Sequence, residues 1–199
     1  MIDVKSLSEE NFFLKEEDFF SSGSERDCYR LPGYKSLCVK IQHGREGRFG
    51  QNVQEFKYYK RLVKRGIDWS RITRCYGWVN TNLGKGLAFE LVCDANGMPS
   101  ATFQQYIQMN GFSDEINQEL KNLKEHLLEN NIVLCDLKTS NILCQVIEGR
   151  PYLRLVDGVG NRDYVKLGNW SYFWGRKKIE RHWERFERRL EKLFPNRTK

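Results

Sequence analysis

The first half of the chain alternates apolar and polar positions in several short runs, a pattern that predicts β-strands. These predicted strands are residues 19–21, 27–31, 37–42, 74–79 and 87–92. Residues 51–64 instead repeat their apolar side chains at three and four positions, which predicts a helix. Its expected buried face consists of Val53, Phe56, Tyr59 and Val63.

The second half is predicted to be mainly helical. Apolar residues between Ile116 and Leu127 step at helical spacing, and Ser113 stands where an N-cap belongs. Two short apolar runs, 142–146 and 152–156, predict a hairpin that turns at Gly149. Gly97 and Pro99 interrupt the pattern near residues 93–100, so we divide the chain into parts 1–92 and 93–199.

Composition permits one domain or two small lobes, since 40% of the 199 residues are hydrophobic. No apolar stretch of signal-peptide or membrane-spanning length occurs near the N-terminus, so the expected location is cytoplasmic. Six cysteines are scattered without a C-x-x-C pair, which favours buried free thiols. With three histidines and no cysteine pair, the sequence does not predict a zinc site.

The most informative motif is D-x-K-x-x-N, formed by Asp136, Lys138 and Asn141 and followed by Asp157 behind an apolar strand. Transfer of a phosphoryl group needs an acid that orients the acceptor hydroxyl, a cation near the transferred oxygens and oxygen ligands for Mg²⁺. We predict that Asp136 is the acid, that Lys138 is the cation, and that Asn141 and Asp157 are the ligands of Mg²⁺. A polar loop after a helix would carry the same residues.

Lys40 lies in a predicted half-buried strand, and Glu55 follows fifteen residues later in the predicted helix. An ion pair between them would hold the ammonium group against the α- and β-phosphates of ATP. Two unrelated surface charges are the alternative.

Two further segments fit a nucleotide site. Gly23, between short strands, lets backbone N–H groups approach a phosphate, although an ordinary hairpin turn would look the same. The strand ending at Val92 runs into a loop, and backbone groups of Glu90 and Val92 could meet an adenine edge. A buried strand alone would also explain this pattern.

In this order, the segments between residues 19 and 160 resemble the protein-kinase-like fold, and in particular the bacterial YrbL family of PhoP regulatory network proteins. The resemblance implies an α+β, two-lobed fold with an antiparallel-sheet N-lobe and a short, mainly helical C-lobe. It implies residues 23–29 as a reduced phosphate loop, Glu90 to Val92 as a hinge, and Asp157 with Gly158 as the metal-binding turn. The implied cofactors are ATP and Mg²⁺.

The chain departs from the kinase pattern at several positions. Leu134 and Cys135 replace the usual His-Arg, Gly158 replaces a phenylalanine, and about forty residues follow the turn. These departures leave the acceptor undefined. From the motif residues we expect an ATP- and Mg²⁺-dependent phosphotransferase with an unknown acceptor. The alternative is a nucleotide-binding regulator that does not turn ATP over.

The C-terminal segment 176–199 holds ten Lys and Arg against four Glu, a balance of +6 within a total of +7. Its apolar stripe consists of Ile179, Trp183, Phe186, Leu190 and Leu193. Such a helix can lie on an anionic membrane or meet nucleic-acid phosphates. It can also dock its stripe on the protein. We favour docking, with an anionic surface as a candidate partner, and expect no stable nucleic-acid complex.

Overall fold

The structure is a computed structural model that describes residues 4–23, 25–44, 50–160 and 172–195. The chain forms two compact units. The first comprises Met1–Lys64 and Thr73–Val92, and the second comprises Arg65–Ile72 and Cys93–Lys199. Both units combine helices with mainly antiparallel strands, so the predicted α+β class is confirmed.

Within the described residues, the first unit contains a six-stranded sheet in the order β1-β5-β6-β4-β3-β2. All neighbouring strands are antiparallel except β1 and β5. Two helices accompany this sheet, α1 (Val4–Glu9) and α2 (Gln51–Arg65). The strands are β1 (Asn11–Phe12), β2 (Phe19–Ser22), β3 (Arg26–Leu31), β4 (Tyr34–Gln42), β5 (Cys75–Thr81) and β6 (Gly84–Glu90).

The central strand β4 is covered on both faces. Leu37, Val39 and Ile41 point into an apolar core with side chains from α1, β1 and β5. On the other face α2 packs against the sheet, with the Tyr59 and Phe89 rings 5.4 Å apart in an edge-to-face contact. Five consecutive residues of β4 are therefore buried, although the sequence pattern predicted a half-buried strand.

The predicted buried face of α2 is only partly right. Tyr59 is buried, but Val63 is 61% exposed, and the other buried residues are Asn52, Glu55, Tyr58 and Leu62. The apolar pattern misplaced the face because two polar side chains, Asn52 and Glu55, are satisfied inside the unit by partners from the sheet. Burial of such groups depends on those partners and not on helical periodicity.

The second unit contains, in its described part, three helices and a small sheet of three antiparallel strands. As predicted, Ser113 caps α4 by accepting a hydrogen bond from the Ile116 N–H at 3.3 Å. The predicted hairpin is also present, with Gly149 at a φ of 79° in its turn. The elements are β7 (Ala101–Thr102), α3 (Phe103–Asn110), α4 (Asp114–Glu129), β8 (Ile142–Ile147), β9 (Arg150–Leu155) and α5 (Tyr172–Leu193).

Segment 65–72 belongs to the second unit because Arg71 anchors it. The Arg71 guanidinium lies 2.7 Å from Glu119 of α4 and 4.2 Å from the centre of the Tyr152 ring. Burial opposes ionisation of Glu119, but hydrogen bonds from Arg71, from the Leu153 N–H and from Asn122 outweigh it and lower the pKa of that carboxyl. The sequence pattern contained no signal for this return to the second unit.

The C-terminal helix α5 docks its apolar stripe within the second unit. Ile179, Trp183, Phe186 and Leu190 are at most 3% exposed, whereas Leu193, predicted as part of the stripe, is 53% exposed. Leu193 is the last residue of the helix and extends past the packed surface. Residues 196–199 of the basic segment lie outside the described part.

All six cysteines are free, as predicted, but only Cys38 and Cys144 are fully buried. Burial raises the pKa of the Cys75 and Cys144 thiols to about 12. These two side chains therefore remain protonated at neutral pH and do not act as nucleophiles there.

Candidate functional site

The two predicted catalytic segments of the second unit lie side by side. Leu134 and Val159 form an antiparallel bridge, and the Cys135 N–H donates to the Gly158 carbonyl at 2.8 Å. The Val156 N–H donates to the Asn141 carbonyl at 2.9 Å. Residues 134–141 and 156–159 are thus joined by backbone hydrogen bonds at both ends, so they form one local structure.

Asn141 and Gly158 meet at the backbone of Asp136. The Asn141 Nδ2 donates to the Asp136 carbonyl at 3.0 Å. A Cβ atom built on Gly158 would overlap that same carbonyl oxygen and would lie 2.8 Å from its carbon atom. Gly158 also has a φ of 77°, a conformation that favours glycine. Only glycine therefore permits this close approach of the two segments.

Asp157 points an oxygen into the same turn, where its Oδ1 accepts a hydrogen bond from the Gly158 N–H at 2.7 Å. The amide nitrogen of Asn141 donates to Asp136, and its Oδ1, which accepts a long hydrogen bond from the Ser140 hydroxyl at 3.5 Å, is the atom that could bind a cation. A carboxylate and an amide oxygen are ligands that suit Mg²⁺.

The Asp136 carboxylate lies between two cations. Its Oδ2 is 2.6 Å from the Lys138 ammonium, and its Oδ1 is 3.9 Å from the guanidinium of Arg189 on α5. Arg189 also donates to the Leu137 carbonyl at 3.3 Å. The Asp136 and Lys138 side chains are 35% and 53% exposed, so both groups are accessible. Arg189 is not predictable from the sequence, since one arginine in a basic helix carries no distinguishing pattern.

In the first unit, Lys40 is buried in the middle of the sheet on the α2 face. Its strand neighbours are Cys28 and Leu87, and its ammonium lies 4.4 Å from the centre of the Phe89 ring. That distance is typical of a cation–π contact. The Lys40 carbonyl accepts a hydrogen bond from the Asn52 side chain at 3.1 Å.

Glu55 makes its ion pair with Arg26 of β3, and both side chains are only 5% exposed. The same guanidinium nitrogen donates to the Asn52 Oδ1 at 2.9 Å. The second oxygen of Glu55, Oε1, is buried without a hydrogen-bond partner among the described residues. The partner of Glu55 is therefore Arg26 and not the predicted Lys40. Arg26 was missed because a single arginine in a short alternating strand looks like an ordinary surface residue.

The other predicted nucleotide-binding residues lie at the ends of strands. The Gly23 N–H donates to the Arg26 carbonyl at 2.8 Å in the connection between β2 and β3. Ser24, next to it, lies outside the described residues. The Glu90 N–H donates to the Arg74 carbonyl at 2.9 Å, and Val92 is the last residue of the first unit.

Among the described residues, no group of three or more His, Cys, Asp and Glu side chains is placed to bind a metal ion. In the same part of the chain, no helix has the length and apolar character needed to cross a membrane.

The fold and this cluster define a mixed α+β protein in which two acids, an amide and a lysine are brought together beside a glycine turn. The chain belongs to the family described as PhoP regulatory network protein YrbL, whose model matches residues 12–191. It is 35% identical over 178 residues to the protein named "Uncharacterized protein YrbL" of Escherichia coli (strain K12). That match covers 87% of this chain and 85% of the relative. The protein of the same name from Shigella flexneri matches with the same identity and coverage.

Proposed function

We propose that this protein is an ATP- and Mg²⁺-dependent phosphotransferase with a protein-kinase-like, two-lobed fold. The observation that carries the proposal is the joining of residues 134–141 to residues 156–159, which brings Asp136, Lys138, Asn141 and Asp157 into one local structure of the second unit. These are the side-chain types that phosphoryl transfer needs, and they arise from two separate sequence segments.

Each side chain has a role that follows from its position. Asp136, accessible and acidic, would accept a hydrogen bond from the acceptor hydroxyl and orient it. Lys138, next to it, would offset negative charge on the transferred group. Asn141 and Asp157 would hold Mg²⁺, which when bound neutralises charge on the phosphate oxygens.

In the first unit, Lys40 would contact the nucleotide phosphates, and Gly23 would allow backbone N–H groups to come close to them. Arg26 holds Glu55, and Asn52 links that pair to the backbone of Lys40. We therefore assign Glu55 an indirect role in positioning Lys40. Backbone groups of Glu90 and Val92 would bind the adenine edge.

The first test is binding of ATP in the presence and absence of Mg²⁺, measured by calorimetry. Asp157→Asn keeps an oxygen that can accept from the Gly158 N–H but removes the charge. We expect it to weaken Mg²⁺-dependent ATP affinity by about tenfold or more, and Asp157→Ala to abolish it, because a carboxylate ligand of the cation is lost.

Asp114→Asn is the matched control, since Asp114 is exposed in the first turn of α4 in the same unit. It is expected to bind ATP as the native protein does. Equal affinity of the native protein and both Asp157 variants would remove the metal assignment, and absence of ATP binding by the native protein would refute the function.

The second candidate is a regulator that binds a nucleotide without turnover. Two observations favour it: Asp136 is held by Lys138 and faces Arg189, and the matching family is described as a PhoP regulatory network protein. In this function the nucleotide would shift a conformational equilibrium.

Transfer of label from ATP to components of a cell extract separates the two candidates. If the protein is a phosphotransferase, Asp136→Asn is expected to lower label transfer by about 100-fold or more while ATP still binds. If it is a regulator, the native protein transfers no label, and Lys40→Met removes the nucleotide-induced increase in melting temperature. Label transfer that is unchanged in Asp136→Asn would remove Asp136 from the catalytic role.

A further inference from the structure

The exposed side of α5 carries its charges in two separate rows. One row begins with Trp174 and continues with five cationic residues, all exposed and spaced by three or four residues: Lys177, Arg181, Arg185, Arg188 and Lys192. At 100° per residue, this spacing places them along one side of the helix over a length of about 27 Å. The exposed glutamates Glu180, Glu184 and Glu191 lie on average about 80° away around the helix, each three or four residues from a member of the first row.

This separation makes a continuous basic surface, which we call the basic row. In the described part of the chain, none of its five cationic side chains forms an ion pair with an acid. The buried stripe of α5 is on the opposite side, so the row is not needed to hold the helix in place. A surface of this length and single sign attracts an extended anionic partner.

Exposed aromatic side chains stand at the beginning of the same helix. Phe173 and Trp174 are 58% and 50% exposed. Tyr172 lies on the other side of the helix, where its hydroxyl donates to the Leu128 carbonyl at 3.3 Å. The Lys177 ammonium lies 4.4 Å from the centre of the Phe173 ring and 5.6 Å from that of Trp174. Tyrosine and tryptophan are enriched at the headgroup level of membranes, where apolar and polar surroundings meet.

We propose that the basic row, with Trp174 at its start and Phe173 beside it, binds the surface of an anionic phospholipid membrane. The charges match acidic headgroups, and the aromatic side chains reach the boundary between headgroups and acyl chains. Because the apolar stripe of α5 stays docked in the protein, the helix lies on the membrane by its outer side and does not insert its core face. This inference does not depend on phosphotransfer.

Co-sedimentation with vesicles tests the proposal. The full-length protein is expected to bind vesicles of phosphatidylcholine mixed with phosphatidylglycerol and not vesicles of phosphatidylcholine alone. Binding is expected to weaken as salt increases. The variant with Arg181, Arg185, Arg188 and Lys192 all replaced by Gln loses four charges of the row. Since each basic side chain near an anionic surface is worth roughly fivefold in affinity, we expect a loss of at least about 100-fold.

The matched control replaces Lys57, Lys64, Lys85 and Lys121 by Gln. These lysines are exposed outside α5, and the change in net charge is the same. This control is expected to bind nearly as well as the native protein. Equal losses in the two variants would show a general charge effect and would overturn the proposal.

Trp174→Ala tests the aromatic contribution. We expect weaker binding at low and high salt alike, since apolar contact is not screened by ions. Unchanged binding, together with comparable salt-sensitive binding to a DNA duplex, would replace the lipid assignment by a nucleic-acid one. Binding to neutral vesicles that equals binding to anionic ones would also contradict the proposal.

Discussion

Replacing Gly158 with alanine is expected to lower the free energy of unfolding of the protein by about 3 kcal/mol or more. Two costs combine. Alanine at a φ of 77° is strained, which costs roughly 1 kcal/mol. Its Cβ would also overlap the Asp136 carbonyl, so residues 134–141 and 156–159 must separate. Such overlap in a packed region typically costs a further 1–3 kcal/mol or more.

Gly149→Ala provides the matched control. Gly149 has nearly the same conformation, with a φ of 79°, but a Cβ there would meet no atom within 4 Å. It is expected to lose only the strain of about 1 kcal/mol. Urea unfolding of both variants isolates the overlap as the difference between them. Equal losses would mean that the two segments do not approach each other as described.

The same pair of variants bears on the proposed function. In Gly158→Ala, separation of the two segments moves Asp157 away from Asn141, and displacement of the Asp136 carbonyl disturbs the hydrogen bond that it accepts from the Asn141 Nδ2. We expect Mg²⁺-dependent ATP binding to fall in this variant even where it remains folded. Gly149→Ala, at the far end of the hairpin, is expected to retain that binding.

Replacing Arg26 with methionine is the second change with a large expected effect, a loss of about 3–5 kcal/mol in the free energy of unfolding. The arginine is the ion-pair partner of Glu55, and removing one member of a buried pair leaves an uncompensated charge. Asn52 loses a donor to its Oδ1 at the same time. Methionine keeps the apolar stem of the side chain, so the change tests the charge and its hydrogen bonds.

Arg30→Met is the control for this experiment, because Arg30 is an exposed residue of the same strand. Its expected cost is within about 0.5 kcal/mol. The double variant Arg26→Met with Glu55→Leu should recover much of the lost stability, since an apolar pair of similar volume replaces a buried ion pair at little cost. If the double variant is as unstable as Arg26→Met alone, the buried charge of Glu55 is not the cause.

The arrangement around Glu55 separates two roles that the predicted Lys40–Glu55 ion pair would combine: neutralising the glutamate and holding the lysine. Arg26 neutralises the glutamate, while the Lys40 ammonium lies over the Phe89 ring on the same face of the sheet. Asn52 connects the two by bonding to Arg26 and to the Lys40 carbonyl. In the proposed function, this network would hold the strand that presents Lys40.

Local patterns predicted most secondary-structure elements of this protein. The N-cap at Ser113 and the hairpin turn at Gly149 depend on residues within a few positions of one another, so neighbouring residues alone contain the signal. The apolar stripe of α5 was also predicted, apart from Leu193, because burial of a helix face follows its own periodicity. The D-x-K-x-x-N motif lies within six consecutive residues, so it too could be recognised from neighbouring residues alone.

The amino-acid sequence by itself determined the α+β class, the main helices and strands, and the residue types of the candidate site. Only the tertiary structure decided that Arg26 and Glu55 form a buried ion pair and that Gly158 packs against the Asp136 carbonyl. It also decided that segment 65–72 joins the second unit through Arg71. The physical reason is that secondary structure follows from nearest neighbours along the chain. Burial of a charge, or the close approach of two backbones, depends instead on residues far apart in sequence that satisfy each other in space.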